Sequence, residues 1–324
     1  MRRLPAALTV TALAGLSLVA CAPGQPVADC TRAASDEAVA TAIDVTGEQG
    51  ESPQVSLNAP FETERTMFAD LEVGDGPVLG ELDQPGVLDL TLYSAETGDA
   101  IIGTAYSDDI TAPSTFDRWA TMFPGLEDAL ECVSAGTRTV VAMSEDDVPE
   151  ETRMQYAMQG FPQTGGVIAV VDVRRVYPRA AWGAPQYNAD SGVPSVVRAP
   201  DGRPGITIPD AEAPEDLVVQ TLLKGDGPEL GEDDTAVVQY TGVTWDDGRV
   251  FDSSWDSGNQ LLATPEGLIP GFAEALKGQT VGSQVLAVIP PELGYGEQGS
   301  GAVPPDATLV FVIDILGAEE TPAS

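Results

Sequence analysis

Residues 235–317 break into short elements when read by the spacing of their apolar positions. "TAVVQYTGVTW" (235–245) is β-branched and aromatic almost throughout; "DDG" then supplies turn residues, and "RVFDSS" (249–254) predicts a returning strand. In "IPGFAEALKG" (269–278) the period changes. Ile269, Phe272, Ala273 and Leu276 fall on one helical face, Pro270 suits a first turn and Gly278 an end. "VLAVIP" (285–290) predicts a strand, and the Gly- and Pro-rich 291–306 a loop. "TLVFVIDIL" (308–316) predicts a last strand with Leu309, Phe311, Ile313 and Ile315 on one face. The expected class is α+β, a mainly antiparallel sheet on which one short helix packs its apolar face.

The same pattern occurs earlier in the chain. "GDGPVLGE" (74–81) matches "GDGPELGE" (225–232) at all but one position, "FPGLEDALECVSAGTRTVVA" (123–142) shadows "IPGFAEALKGQTVGSQVLAV" (269–288), and "VIAVVDVRRV" (167–176) shadows "TLVFVIDILG" (308–317). Three blocks in one order predict two copies of one domain in tandem. We expect a first domain over 51–177, a Pro/Gly-rich linker over 178–214 and a second domain over 215–319. Residues 21–50, rich in Ala, Gly, Pro, Asp and Glu, read as a flexible tether.

The N-terminus reads as a targeting segment. Arg2 and Arg3 precede an apolar run over 4–18 and then "LVAC", which resembles a bacterial lipoprotein signal (1–20) cleaved so that Cys21 carries the lipid. The expected location is the outer face of the bacterial cytoplasmic membrane. Cys30 and Cys132 would then share an oxidising compartment and are candidates for a disulfide, although sequence alone does not bring them together.

Composition narrows the chemistry. With 15 Lys+Arg against 51 Asp+Glu the net charge is -36, which argues against nucleic acid as a partner. There is no histidine, so Ser-His and Cys-His nucleophiles, histidine bases and histidine metal sites are excluded, and no "DxDxDG" calcium loop is present. Neither a metal nor a cofactor is expected.

One local conflict stands out: in "VFDSSWD" (250–256) a ring that favours burial, Phe251, adjoins a carboxylate, Asp252. Tyr240, Phe251, Ile269, Phe272, Tyr295, Val303 and Phe311 come from separate elements and would line one aromatic pocket if the sheet wraps the helix; taken singly, each reads as ordinary core. "VVQYTG", "GRVFDSS", "GLIPGF", "ELGYGEQG" and "VPPDATLVF", in that order, closely resemble the FKBP-type peptidyl-prolyl cis-trans isomerases over residues 218–317. The resemblance implies an antiparallel β half-barrel around a short helix, with a proline site between them. By the same resemblance, Tyr240, Phe251 and Asp252 form a wall and its acidic edge, Asp252 hydrogen-bonding Tyr240. Leu268 and Ile269 precede the helix, the Ile269 N–H receiving a substrate carbonyl. Phe272 is the floor, Tyr295 the loop hydroxyl, and Val303 and Phe311 the far wall.

The implied activity is rotation of X-Pro amides in exported polypeptides, with macrolides such as rapamycin as ligands. Phe272 stands where the family usually has tryptophan, and the arginine that commonly neighbours the acid is absent, Ser257 being the nearest match. In the first copy Leu90 replaces Tyr240, Ile101 and Ile102 replace Phe251 and Asp252, Leu126 stands at the floor, and Ala169 replaces Phe311; Tyr156 has no clear counterpart. That copy is expected to be inactive. The alternative for the whole chain is a non-catalytic, client-binding lipoprotein on the same scaffold.

Overall fold

The computed structural model describes residues 30–106, 113–188, 192–231, 234–258 and 260–319. The targeting segment and Cys21 lie outside the described residues. Among those described, no helix is long and apolar enough to cross a membrane.

In the first half, β1 (Ile43–Thr46) and β2 (Gln54–Leu57) pair as an antiparallel ribbon. β3 (Met67–Glu72), β4 (Pro85–Ser94), β5 (Ala100–Gly103), β6 (Ser114–Thr115), β7 (Thr137–Met143) and β8 (Val167–Val176) follow. They build an antiparallel sheet ordered β3-β7-β8-β4-β5, with β6 beside β4. In the second half come β9 (Ala184–Pro185), a ribbon of β10 (Ser195–Arg198) and β11 (Pro204–Thr207), and then β12 (Val218–Lys224), β13 (Thr235–Thr244), β14 (Val250–Ser253), β15 (Leu261–Ala263), β16 (Gln284–Ile289) and β17 (Leu309–Glu319). Their order is β14-β13-β17-β16-β12-β9, with β15 beside β13. Without the short β9, strand for strand, the order is that of the first sheet.

Period-two alternation explains how each central strand serves two cores. In β17, Leu309, Phe311, Ile313 and Ile315 face the helix Pro270–Leu276, with Phe272, Ala275 and Leu276 packed against them. The expected helical face is offset by one position, Ala275 rather than Ala273 being fully buried. Val310 and Val312 point to the opposite face, which is also covered, so the strand reads as one apolar run.

That opposite face corrects two expectations. Residues 178–214 are more than a linker: Val196, Ile206 and Ile208, from the β10–β11 ribbon and just beyond it, pack on Val243, Trp245, Leu286, Val288, Val310 and Val312. The tether expected over 21–50 is likewise ordered in its later part. A helix, Glu37–Ala42, and β1 bury Val39 and Ile43 against Val140, Ala142, Ile168 and Val170 of the first sheet. In each half a short ribbon thus covers the outer face of the sheet. Few apolar residues suffice, since each falls on a β-branched surface. Cys30 and Cys132 are joined by a disulfide with Cα atoms 5.8 Å apart, tying this leading segment to the first half.

The repeated "GDGP" segment has a packing reason. A Cβ at Gly74 or Gly225 would lie 2.1 Å from the carbonyl oxygen of Ala135 or Val281 respectively. Beside each glycine the same bonds recur: Ser134 Oγ donates to the Gly74 carbonyl (2.8 Å), as Thr280 Oγ1 does to the Gly225 carbonyl (2.7 Å).

Candidate active site

The site is assembled by β13, β14, the segment before the helix Pro270–Leu276, and β17. Their register sets Gly242 opposite both Asp252 and Phe311. A Cβ on Gly242 would come within 2.7 Å of the Phe251 ring and 2.8 Å of the Phe311 ring, so only glycine there lets the rings approach the sheet. Phe251 and Phe311 meet edge to face with centroids 5.5 Å apart; Phe272 meets Phe311 at 5.1 Å and Tyr240 at 6.0 Å, again near-perpendicular. Tyr240 and Phe311 are 6.1 Å apart, and the four rings form one wall.

One edge of that wall is polar. The Tyr240 hydroxyl donates to Asp252 Oδ2 at 2.5 Å. Burial, then the accepting carboxylate, push the Tyr240 phenol well above its ordinary pKa, so it remains a donor across the neutral range. The backbone beneath is held by Ser254: its Oγ accepts from the Tyr240 N–H (2.8 Å) and donates to Gln239 Oε1 (2.6 Å).

Ile269 is the N-cap of the helix, in extended conformation, with Pro270 in the first turn. Among the described residues no acceptor is engaged by the Ile269 N–H. Ile269, Leu268, Phe251 and Tyr240 are half-buried against the core that holds Phe272, Phe311 and Val303. Leu268 also lines a cavity of about 370 Å³ with Ala236, Ala263, Ala273 and Leu276, which none of the four rings borders. Tyr295 lies outside the ring cluster: it is 38% exposed, although close enough to Tyr240 to interact with that phenol. Arg249 ties down the loop before β17 by donating to the Ala302 carbonyl (2.7 Å).

The expected site residues of the second half therefore converge, with Tyr295 at the rim and Leu268 shared with a neighbouring cavity. Sequence reading missed Gly242; its signal was a glycine inside an otherwise β-branched strand. It also missed a cleft of about 520 Å³ in the first half, lined by Leu90, Ile102, Trp119, Met122, Phe123 and Tyr156 among others. Trp119 and Met122, one helical turn apart in "FDRWATMF", were the legible trace of it. Among the described residues no group of three or more His, Cys, Asp or Glu stands together as a metal site. What the described residues of the second half offer chemically is an apolar, aromatic wall with a hydroxyl–carboxylate edge and an uncommitted backbone N–H, and no activated nucleophile.

Comparison with known proteins agrees with that chemistry. Residues 227–316 match the family model described as FKBP-type peptidyl-prolyl cis-trans isomerase. A probable FK506-binding protein of Corynebacterium glutamicum is 41% identical over 116 residues, covering 36% of this chain and 98% of that protein. FkpA of Escherichia coli K12, an FKBP-type peptidyl-prolyl cis-trans isomerase, is 42% identical over 106 residues, 33% of this chain and 39% of its own length. The match thus spans well under half of FkpA. Among solved structures, the crystal structure of FkpA from Escherichia coli is similar with a TM-score of 0.32 and 34% identity, covering 41% of this chain and 55% of that one. On its second half, the chain belongs to the FKBP-type peptidyl-prolyl cis-trans isomerases.

Proposed function

We propose that the second half catalyses rotation of X-Pro bonds in exported polypeptides, by binding the twisted amide more tightly than the planar one. The observation that carries this reading is the convergence of Tyr240, Phe251, Phe272 and Phe311 on one wall beside the Tyr240–Asp252 hydrogen bond. An X-Pro amide turns over a barrier of roughly 18–20 kcal/mol because twisting breaks its resonance. The twisted form has lost the dipolar resonance that water stabilises, so an apolar ring cavity favours it. Each ~1.4 kcal/mol of such preference gives about tenfold in rate. In this reading the Ile269 N–H and the Tyr295 hydroxyl hold the flanking carbonyls, Leu268 and Val303 contact the chain beside proline, and macrolides such as rapamycin compete for the cavity.

The two halves are further proposed to be tandem copies of one half-barrel, the first without the isomerase site. Parallel hydrogen bonds support this: Thr104 Oγ1 accepts from the Leu90 N–H and donates to Asp89, as Ser254 does between Tyr240 and Gln239. Packing supports it too. Leu92 occupies the register of Gly242 and Ala169 that of Phe311, so a buried leucine stands where the second half holds rings. The proposed domains run 51–177 and 215–319, with β1, β10 and β11 lying ahead of them.

The chain is also proposed to be lipid-anchored through Cys21 at the outer face of the cytoplasmic membrane. The Cys30–Cys132 disulfide supports an oxidising compartment.

A protease-coupled isomerisation assay with short X-Pro peptides tests the function. Phe251→Ala is expected to cut kcat/KM at least about tenfold, the order set by losing one buried ring contact. A folded wild-type chain with no acceleration over the thermal rate would leave only the client-binding alternative.

A further inference from the structure

We propose that the first half carries a non-catalytic binding cleft for an apolar polypeptide segment with an acidic side chain beside it. The proposal builds on the reading of that half as a copy without the isomerase site. Leu90 and Ile102 lie in the registers of Tyr240 and Asp252, so the hydroxyl–carboxylate edge is replaced by hydrocarbon. Those two residues nevertheless border a cleft of about 520 Å³.

New residues furnish the cleft. The seven-residue helix Phe116–Met122 brings in Trp119 and Met122, both half-buried, and the Tyr156 hydroxyl donates to Met122 Sδ at 3.3 Å. The segment that supplies Tyr156 and Gln159 also displays Met154 and Met158, 58% and 95% exposed. Methionine is unbranched and polarisable, and it adapts to varied apolar partners. Exposed methionines beside a cleft edged by tryptophan suit an extended segment of changing sequence better than one small ligand.

Charge narrows the occupant. Arg118 is the one charged residue lining the cleft among those described, in a chain with 15 Lys+Arg and 51 Asp+Glu. It is solvent-exposed, and among the described residues it forms no ion pair. A guanidinium at an apolar mouth complements a carboxylate on the incoming segment, against the repulsion of the surrounding surface.

The test uses the purified full chain and fluorescein-labelled peptides, capped at both ends and free of proline, with a Leu/Phe/Met segment followed by Glu or by Gln; binding is read by anisotropy. The wild type is expected to bind the Glu peptide about three- to fivefold more tightly than the Gln peptide, and Arg118→Gln to abolish that difference. Trp119→Ala and Ile102→Asp should each weaken binding at least about tenfold while isomerisation of X-Pro peptides is unchanged. Phe251→Ala should do the reverse. Should the cleft variants fold poorly, hydrogen exchange on the wild type serves instead, with peptide-induced protection expected at 116–123 and 150–160. Absence of binding, binding indifferent to the cleft substitutions, or protection confined to the second half would overturn the proposal. Loss of isomerase activity in the wild type would sink the function proposed above without bearing on this one.

Discussion

At the scale of single residues, the Tyr240–Asp252 hydrogen bond joins the aromatic wall to its polar edge. Tyr240→Phe keeps the ring and removes the donor, so kcat/KM should fall by about two- to tenfold, the order of one hydrogen bond. With no histidine in the chain and the phenol raised by burial, the wild-type activity should be flat between pH 6 and 9. A bell-shaped profile in that range would point to another acid–base group. A second carboxylate sets a different pH dependence. Asp314 is fully buried in β17, accepting from the Ala181 N–H (2.9 Å) and from Gln284 Nε2 (2.7 Å), yet desolvation raises its pKa to about 6. The folded chain then holds this proton to higher pH than the unfolded chain. Stability is accordingly lost as pH rises from about 4 to about 6, by roughly 2–3 kcal/mol, and the loss is complete above that. Asp314→Asn should lack this step: melting curves of wild type and variant should diverge across that window and run parallel above it. Curves parallel throughout would contradict the assignment.

At the scale of elements, the ribbons over the outer faces carry a stability role that their sequences hide. Ile206 is half-buried on the outer core of the second half, and Ile206→Ala should destabilise that half by about 1–2 kcal/mol in urea titration, with kcat/KM in the folded state unchanged. An unchanged midpoint would mean the ribbon adds nothing to the sheet. The elements of the second half were legible because β13, β16 and β17 are long apolar strands bounded by turn residues, and because the helix changes period at Pro270. The ribbons were not. β10 and β11 are four residues each, one opens at a proline, and the stretch holding Val39 and Ile43 is mostly Ala and charge. Nor could the sequence reveal that Asp172 and Asp314 are buried, since a lone carboxylate defaults to the surface. Asp172 is compensated by Arg138, whose guanidinium donates to both its oxygens (2.6 and 2.7 Å) and to the Gly47 and Glu48 carbonyls, a partnership visible only in three dimensions. The candidate site was legible in its rings, while its dependence on Gly242 and the cleft of the first half were not.

At the scale of the molecule, both halves share a strand order, a glycine-dependent loop contact and a buried polar row across three strands: Asp89, Asp172 and Arg138 in one, Gln239, Asp314 and Gln284 in the other. They differ at the registers of Tyr240, Asp252 and Phe311, where the first half has Leu90, Ile102 and Ala169. The proposed reading of the first half as a copy without the site is consistent with packing and function resting on different residues. The central claim, that one half turns over prolyl bonds and the other does not, is tested most directly by kcat/KM for an X-Pro peptide on three full-length chains: wild type, Phe251→Ala, and Trp119→Ala. The account predicts that activity falls at least about tenfold in the second chain and stays at the wild-type value in the third. Equal activity in the wild type and Phe251→Ala, or a loss confined to Trp119→Ala, would contradict it.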